Sequence, residues 1–222
     1  MNPKDQESRK FKILESARKL FSHYGFEKTT IEDIAKEAEL GKGTIYLEFD
    51  SKEAILMAII RNFIEEELAE IKDYVTELNE ERHKNSKAKN NQEKEFKNQS
   101  IIKQTKKLFL NHILRTYDIA TNHLHSSEAL VHTSNRVRSE FETFFTRKHN
   151  MLAELLELAA ENKEIKKSHD FSYHASLILK GLCGLMPPYN PHINAKGKLS
   201  IITRKELENY TKDLLDILFT CT

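Results

Sequence analysis

Residues 29–56 read TTIEDIAKEAELGKGTIYLEFDSKEAIL. Thr30 stands three residues before Asp33 and directly ahead of the apolar positions Ile31, Ile34, Ala35 and Ala38. A hydroxyl followed three residues on by an acid is a capping box in its acidic form, so a short amphipathic helix opens here. "ELG" makes a tight turn. Ile45 and Phe49 then lie four apart, one inward stripe on a helix of about two turns. Asp50 and Ser51 break the chain, and Ser51 caps a long helix through Ile55, Ile59, Phe63 and Leu68 toward Leu78. The chain has only six glycines, yet Gly41 and Gly43 flank Lys42 at the mouth of the second short helix. Without side chains there, the turn can tighten and the helix entrance can approach a phosphate closely.

Upstream, Phe11, Leu14, Ala17, Leu20, Phe21 and Tyr24 recur at helical spacing from Ser8 to Tyr24, and Gly25 ends the pattern. Three short helices with a turn between the second and third describe a helix-turn-helix, whose last helix enters the major groove. Lys42 is placed to meet the DNA backbone or a guanine edge, and Thr44 is short enough for a base edge or a phosphate. Tyr46 lies opposite the Ile45/Phe49 stripe, where its hydroxyl suits a phosphate. Arg9, Lys10 and Lys12 are within reach of an adjacent groove or backbone.

With these pieces in hand, residues 8–56 resemble the N-terminal domain of TetR-family transcriptional repressors. The resemblance rests on the helix ending in Phe21 and Tyr24-Gly25-Phe26, the threonine pair, "IAKEA", "KGTIY", Phe49 and "SKEAIL". It implies DNA contacts at Thr29, Thr30, Lys42, Gly43, Thr44, Tyr46, Leu47 and Lys52, with Thr29, Thr30 and Lys52 as flanking phosphate clamps. Two departures stand out. Gly41 occupies a position where the family often caps with serine, and Leu47 and Glu48 stand where aromatic or histidine residues commonly contact backbone. Leu47 suits a thymine methyl. Glu48 either accepts from a cytosine amino group or points into solvent, with solvent preferred.

Lys plus Arg number 35 and Asp plus Glu 34, for a formal net charge of +1. Residues 1–53 hold ten basic and eleven acidic side chains, so DNA specificity must come from local placement rather than a broad basic field. Scarce glycine and proline with abundant Glu, Lys, Leu and Ile predict an all-α chain. Two cysteines make no disulfide framework, the N-terminus lacks a secretory h-region and no apolar run is long enough to span a membrane; a cytoplasmic protein is expected. Residues 79–98 carry almost nothing apolar except Phe96 and read as a solvated loop or frayed helix extension. Apolar-periodic stretches follow at 100–120, 127–137, 139–162 and 170–185. Pro187, Pro188 and Pro191 make 186–198 a loop, and Thr203 with Glu206 caps a last helix.

The expected organisation is an N-terminal three-helix helix-turn-helix domain, 1–50, followed by a larger helical effector-binding and dimerisation domain, 51–222. Phe63, Phe109, Ile113, Leu114, Tyr117, Phe141, Phe144, Phe145, Leu152, Leu155 and Leu156 are expected to be buried there. The resemblance implies a cavity for a small-molecule effector, for which Phe109, His112, Tyr117, Phe144 and Tyr173 are candidates. His123, His125 and His132 lack a companion ligand at a recognisable spacing, so no metal and no cofactor is expected. Neither a nucleophile elbow nor a phosphate-binding glycine loop occurs, which argues against an enzyme. "SLILKGLCGL" (176–185), with Gly181 and Gly184 allowing close approach, and "LENYTKDLLDILF" (207–219) are expected to form a four-helix homodimer face between helices of about 170–185 and 203–220. The reading is a homodimeric, ligand-responsive regulator, most simply a repressor, on a near-palindromic double-stranded operator. The alternative is a helical interaction or scaffold protein that has lost DNA binding. Effector, operator and regulated genes are not legible in the sequence.

Overall fold

A computed structural model describes residues 3–87, 100–122, 134–185, 192–193, 199–200 and 202–220. The described residues form eight helices and one two-residue ladder: α1 Pro3–Tyr24, α2 Ile31–Glu37, α3 Lys42–Glu48, α4 Lys52–Lys87, α5 Ile101–Asn122, α6 Ser134–Glu161, α7 Phe171–Cys183, β1 His192–Ile193, β2 Leu199–Ser200 and α8 Arg204–Thr220. The chain is all-α, as its composition implies. Of the expected loop at 186–198, His192–Ile193 pairs antiparallel with Leu199–Ser200. Two compact units are present: Met1–Glu66 with Ile119–Phe141, and Glu67–Asp118 with Glu142–Thr222.

In the first unit, α1 begins at Pro3, earlier than Ser8, with proline in a first-turn position that needs no N–H. Its inward stripe is Ile13, Ala17, Leu20 and Phe21; Phe11 and Tyr24, which share the apolar spacing, are 67% and 54% exposed. Gly25 ends the helix at φ 87 with its N–H on the Phe21 carbonyl. The stripe packs with Phe26, Ile31, Ile34, Ala35, Ile45, Ile55 and Leu56 into one core.

The second unit has its own core, in which Phe109, Ile113, Leu152, Leu155, Leu156, Ile178, Leu207 and Leu215 are all nearly inaccessible. Phe145 departs from the expected burial at 47% exposed, and Phe63 and Phe144 are half-buried. Of the two readings of 79–98, loop or helix extension, the first part takes the second, because α4 continues to Lys87. Glu, Arg and Lys are good helix formers that need no apolar face. Polar ties hold the extension: Asn79 donates to Glu154 at 2.7 Å and Arg82 pairs with Glu161 at 2.9 Å. The remainder, 88–98, lies outside the described residues, as do His123, His125 and His132.

Helix ends in this unit are closed by side chains. Asp170 accepts from the Tyr173 N–H at 2.7 Å at the start of α7, and Thr203 and Glu206 form the expected reciprocal cap of α8. The Glu164 carboxylate, just past α6, caps α5 by accepting from the Ile101 and Ile102 N–H groups and the Ser100 hydroxyl. Burial alone would raise its pKa, but these donors hold it below the usual range. Gly181 admits α8 within the same chain: a Cβ there would meet Leu218 at 3.1 Å, whereas at Gly184 it would meet only the Gly181 carbonyl at 3.6 Å.

Candidate nucleic-acid interface

The interface is built on α2 and α3. Thr30 caps α2: its hydroxyl oxygen accepts from the Asp33 N–H at 3.2 Å, while Asp33 accepts from the Thr30 N–H at 2.9 Å. Thr30→Ala is therefore expected to cost about 1 kcal/mol of stability, read from denaturant melts of the full chain. Thr29 is buried, and its hydroxyl donates to the Gly25 carbonyl at 2.8 Å. It braces the bend between α1 and α2.

The turn between α2 and α3 tightens at Glu39, not at the glycines. Glu39 sits at φ 56; its N–H reaches the Lys36 carbonyl, and the Leu40 N–H reaches the Ala35 carbonyl. This is a Schellman motif with a non-glycine residue in the left-handed position. Gly41 has ordinary extended angles (φ −74, ψ 147), and a Cβ on it would meet only Thr44 Oγ1 at 3.8 Å. As the missing serine implies, Gly41 supplies no side-chain cap to α3. A Cβ on Gly43 would meet nothing of this chain. The bareness of Gly43 answers no need of the fold.

Ile45 is fully buried and fixes α3 on the core, with Phe49 packed behind it. That anchoring turns Lys42, Gly43, Tyr46 and Leu47 outward; Tyr46 is 48% and Leu47 75% exposed, and Thr44 is half-buried beside them. Lys42 meets the Glu32 carboxylate on α2, which raises the lysine pKa, mostly through the hydrogen bond itself. Lys52 is turned inward. Its ammonium donates to the carbonyls of Phe26 (2.7 Å) and Thr29 (3.0 Å), with that of Glu27 at 3.5 Å, and lies 4.3 Å from the Phe26 ring centre. It staples the α1–α2 bend to the start of α4.

Neither expected position for Glu48 is the one it takes. Its side chain is 1% exposed and bound to α1: Arg9 Nε donates to it at 3.3 Å, Gln6 Nε2 at 3.1 Å, and Lys10 Nζ lies 3.9 Å away. An acid at the C-terminal end of a helix is disfavoured by the helix dipole. Two cations and an amide from α1 offset that here. Gln6 and this whole link were missed in the sequence, because 39 to 42 residues separate the partners and no periodicity joins them.

The effector candidates occupy varied places in the second unit. Phe109 is in the core, and Tyr117 is buried with its hydroxyl donating to the Ile202 carbonyl at 2.6 Å. His112 meets Glu67, Phe144 is half-buried with the Arg147 guanidinium 5.9 Å from its ring, and Tyr173 is 57% exposed.

Residues 13–59 match the family described as bacterial regulatory proteins, tetR family. The HTH-type transcriptional regulator YvdT of Bacillus subtilis (strain 168) is 40% identical over 70 residues, covering 32% of this chain and 36% of that protein. The biofilm operon icaADBC HTH-type negative transcriptional regulator IcaR of Staphylococcus aureus (strain Newman) is 46% identical over 46 residues, 21% of this chain and 25% of that one. The matched stretches thus span only a quarter to about a third of these relatives' lengths. Across nearly the whole chain the fold is shared with SmeT, the repressor of the Stenotrophomonas maltophilia multidrug efflux pump SmeDEF: TM-score 0.63 and 13% identity, over 96% of this chain and 89% of that one. The head of the chain, residues 13–59, thus matches the tetR family, and the chain as a whole shares the fold of SmeT.

Proposed function

We propose that the protein is a transcriptional regulator, acting as a repressor, that binds a near-palindromic double-stranded operator as a homodimer and is released by a small-molecule effector. The observation that carries the reading is the outward face of α3. Lys42, Gly43, Tyr46 and Leu47 project from a helix whose other side is locked by Ile45, and Gly43 is bare where the fold has no use for bareness. A backbone so exposed at a helix entrance can approach a phosphate, Tyr46 can donate its hydroxyl to one, and Lys42 can exchange Glu32 for one. Thr29 and Lys52 would then act behind the contact surface by fixing the α1–α2 bend, with Thr30 and Thr44 at its margin. Paired through α7 and α8, two such heads would present their α3 helices about 34–36 Å apart on successive major grooves. Leu177, Tyr210 and Ile217, each at least 43% exposed on those two helices, supply apolar surface for that pairing.

SmeT, whose fold this chain shares, has been solved as a triclosan complex, which supports a small-molecule effector here, and we place it in the second unit. An effector that binds one setting of α4 more tightly than the other would bias the heads away from the operator spacing. Tyr46→Ala and Lys42→Ala are each expected to weaken operator binding roughly tenfold or more without lowering the melting temperature, and Lys42→Ala also to reduce the salt slope by about one. Unchanged operator affinity in both variants would remove the site assignment.

A further inference from the structure

Four helices of the second unit bring ionisable groups together, and one of them, Glu67, is buried. Glu67 of α4 is 6% exposed, and its carboxylate meets Nδ1 of His112 on α5. Lys148 of α6 holds its ammonium 5.3 Å from the centre of the Phe109 ring, one turn before His112 on α5. The Lys148 charge acts on both His112 and the Cys183 thiol of α7. Among the described residues, no carboxylate pairs with Lys148. Glu67 is committed to His112, and Arg115, the next cation along α5, pairs with Glu70 at 2.7 Å.

An ammonium set over an aromatic ring without a counter-ion is costly, and a leucine or methionine there would serve a core better. Burial pushes the Lys148 pKa down to about 7. Burial, followed by the charges on Lys148 and Arg115, also holds His112 well below its ordinary range. The neutral imidazole therefore donates to Glu67 and leaves that carboxylate unavailable to the lysine. Lys148 as a residue keeps intermediate exposure and is not fully enclosed. Charged groups perturbed in this way and reachable from outside mark ligand sites.

We propose that Lys148, with Phe109 and His112 beside it, is the recognition point of the effector and selects an amphipathic monoanion. The ligand's carboxylate would sit on the ammonium and its apolar body along the Phe109 and Phe144 side of α5 and α6. This deepens the effector-responsive reading above and rests on it, but its test needs no DNA. Titration calorimetry of the full chain with decanoate and with decanol of equal length compares an anion with a neutral body. Decanoate is expected to bind wild type roughly tenfold to a hundredfold more tightly than decanol. Lys148→Met should lose that advantage while binding decanol unchanged, and should melt no lower than wild type because it removes an uncompensated cation. The advantage should also shrink from pH 6 to pH 8.5 as Lys148 deprotonates, the facing groups being His112, Glu67, Arg115 and Cys183. No binding of decanoate, equal binding of decanoate and decanol, or an undiminished advantage in Lys148→Met would each overturn the proposal. Lys148-dependent decanoate binding that leaves operator affinity untouched would uphold the anion site and count against the regulator reading instead.

Discussion

Gly43→Leu is expected to leave the first unit folded, a few tenths to about 1 kcal/mol more stable, and to weaken operator binding by at least about a hundredfold. The two effects have opposite signs because they have different origins. Within the chain a Cβ at Gly43 meets nothing within 4 Å, so a side chain has open space at its root, and the substitution removes the conformational freedom that makes glycine a poor helix residue. Outside the chain, the added side chain would stand between the α3 entrance and the phosphate it is proposed to approach, with Lys42 and Tyr46 held off together. Melting curves and duplex titrations on the same preparation separate the two. A variant that binds DNA like wild type would show that the bare entrance has no partner.

Glu48→Ala is expected to destabilise the first unit by about 1–3 kcal/mol, measured by denaturant unfolding. The carboxylate is almost inaccessible and accepts from Arg9 and Gln6, so its removal leaves the Arg9 guanidinium, on a side chain only 25% exposed, without that partner. Lys10 adds little, being 47% exposed and 3.9 Å away. Relief of the unfavourable charge at the end of α3 offsets part of the loss. Glu48→Gln should fall between, keeping the shape and losing the charge. Base preference should not change in either variant, because the side chain faces α1 and not the groove. Unaltered stability in Glu48→Ala together with altered base preference would restore Glu48 to the DNA surface.

What could be read in the sequence was what is local. Thr30 with Asp33, Thr203 with Glu206 and Gly25 after Tyr24 are signals three or four residues long, and each cap forms where its spacing says. Ile45 at the heart of α3 followed from a four-residue stripe. What escaped was long-range or not encoded by residue type. Glu48 finds its partners on α1, Lys52 reaches carbonyls 23 to 26 residues back, and Glu164 caps a helix that starts 63 residues earlier. Composition cannot reveal such pairings. The turn misled for the opposite reason: two glycines suggested that it tightens at them, but the left-handed residue is Glu39. The helix through 79–87 could be read only as one of two alternatives, because a surface helix tied by ion pairs needs no apolar stripe.

The central claim is that the outward face of α3 reads DNA. Its most direct test begins with a duplex that the full chain selects from a random pool, titrated by fluorescence anisotropy beside a scrambled duplex of equal length at several salt concentrations. A DNA-reading α3 predicts that the selected duplex binds at least about a thousandfold tighter than the scrambled one. It also predicts that log K falls linearly with log salt, as phosphate neutralisation requires. Equal affinity for the two duplexes, or binding indifferent to salt, would contradict it.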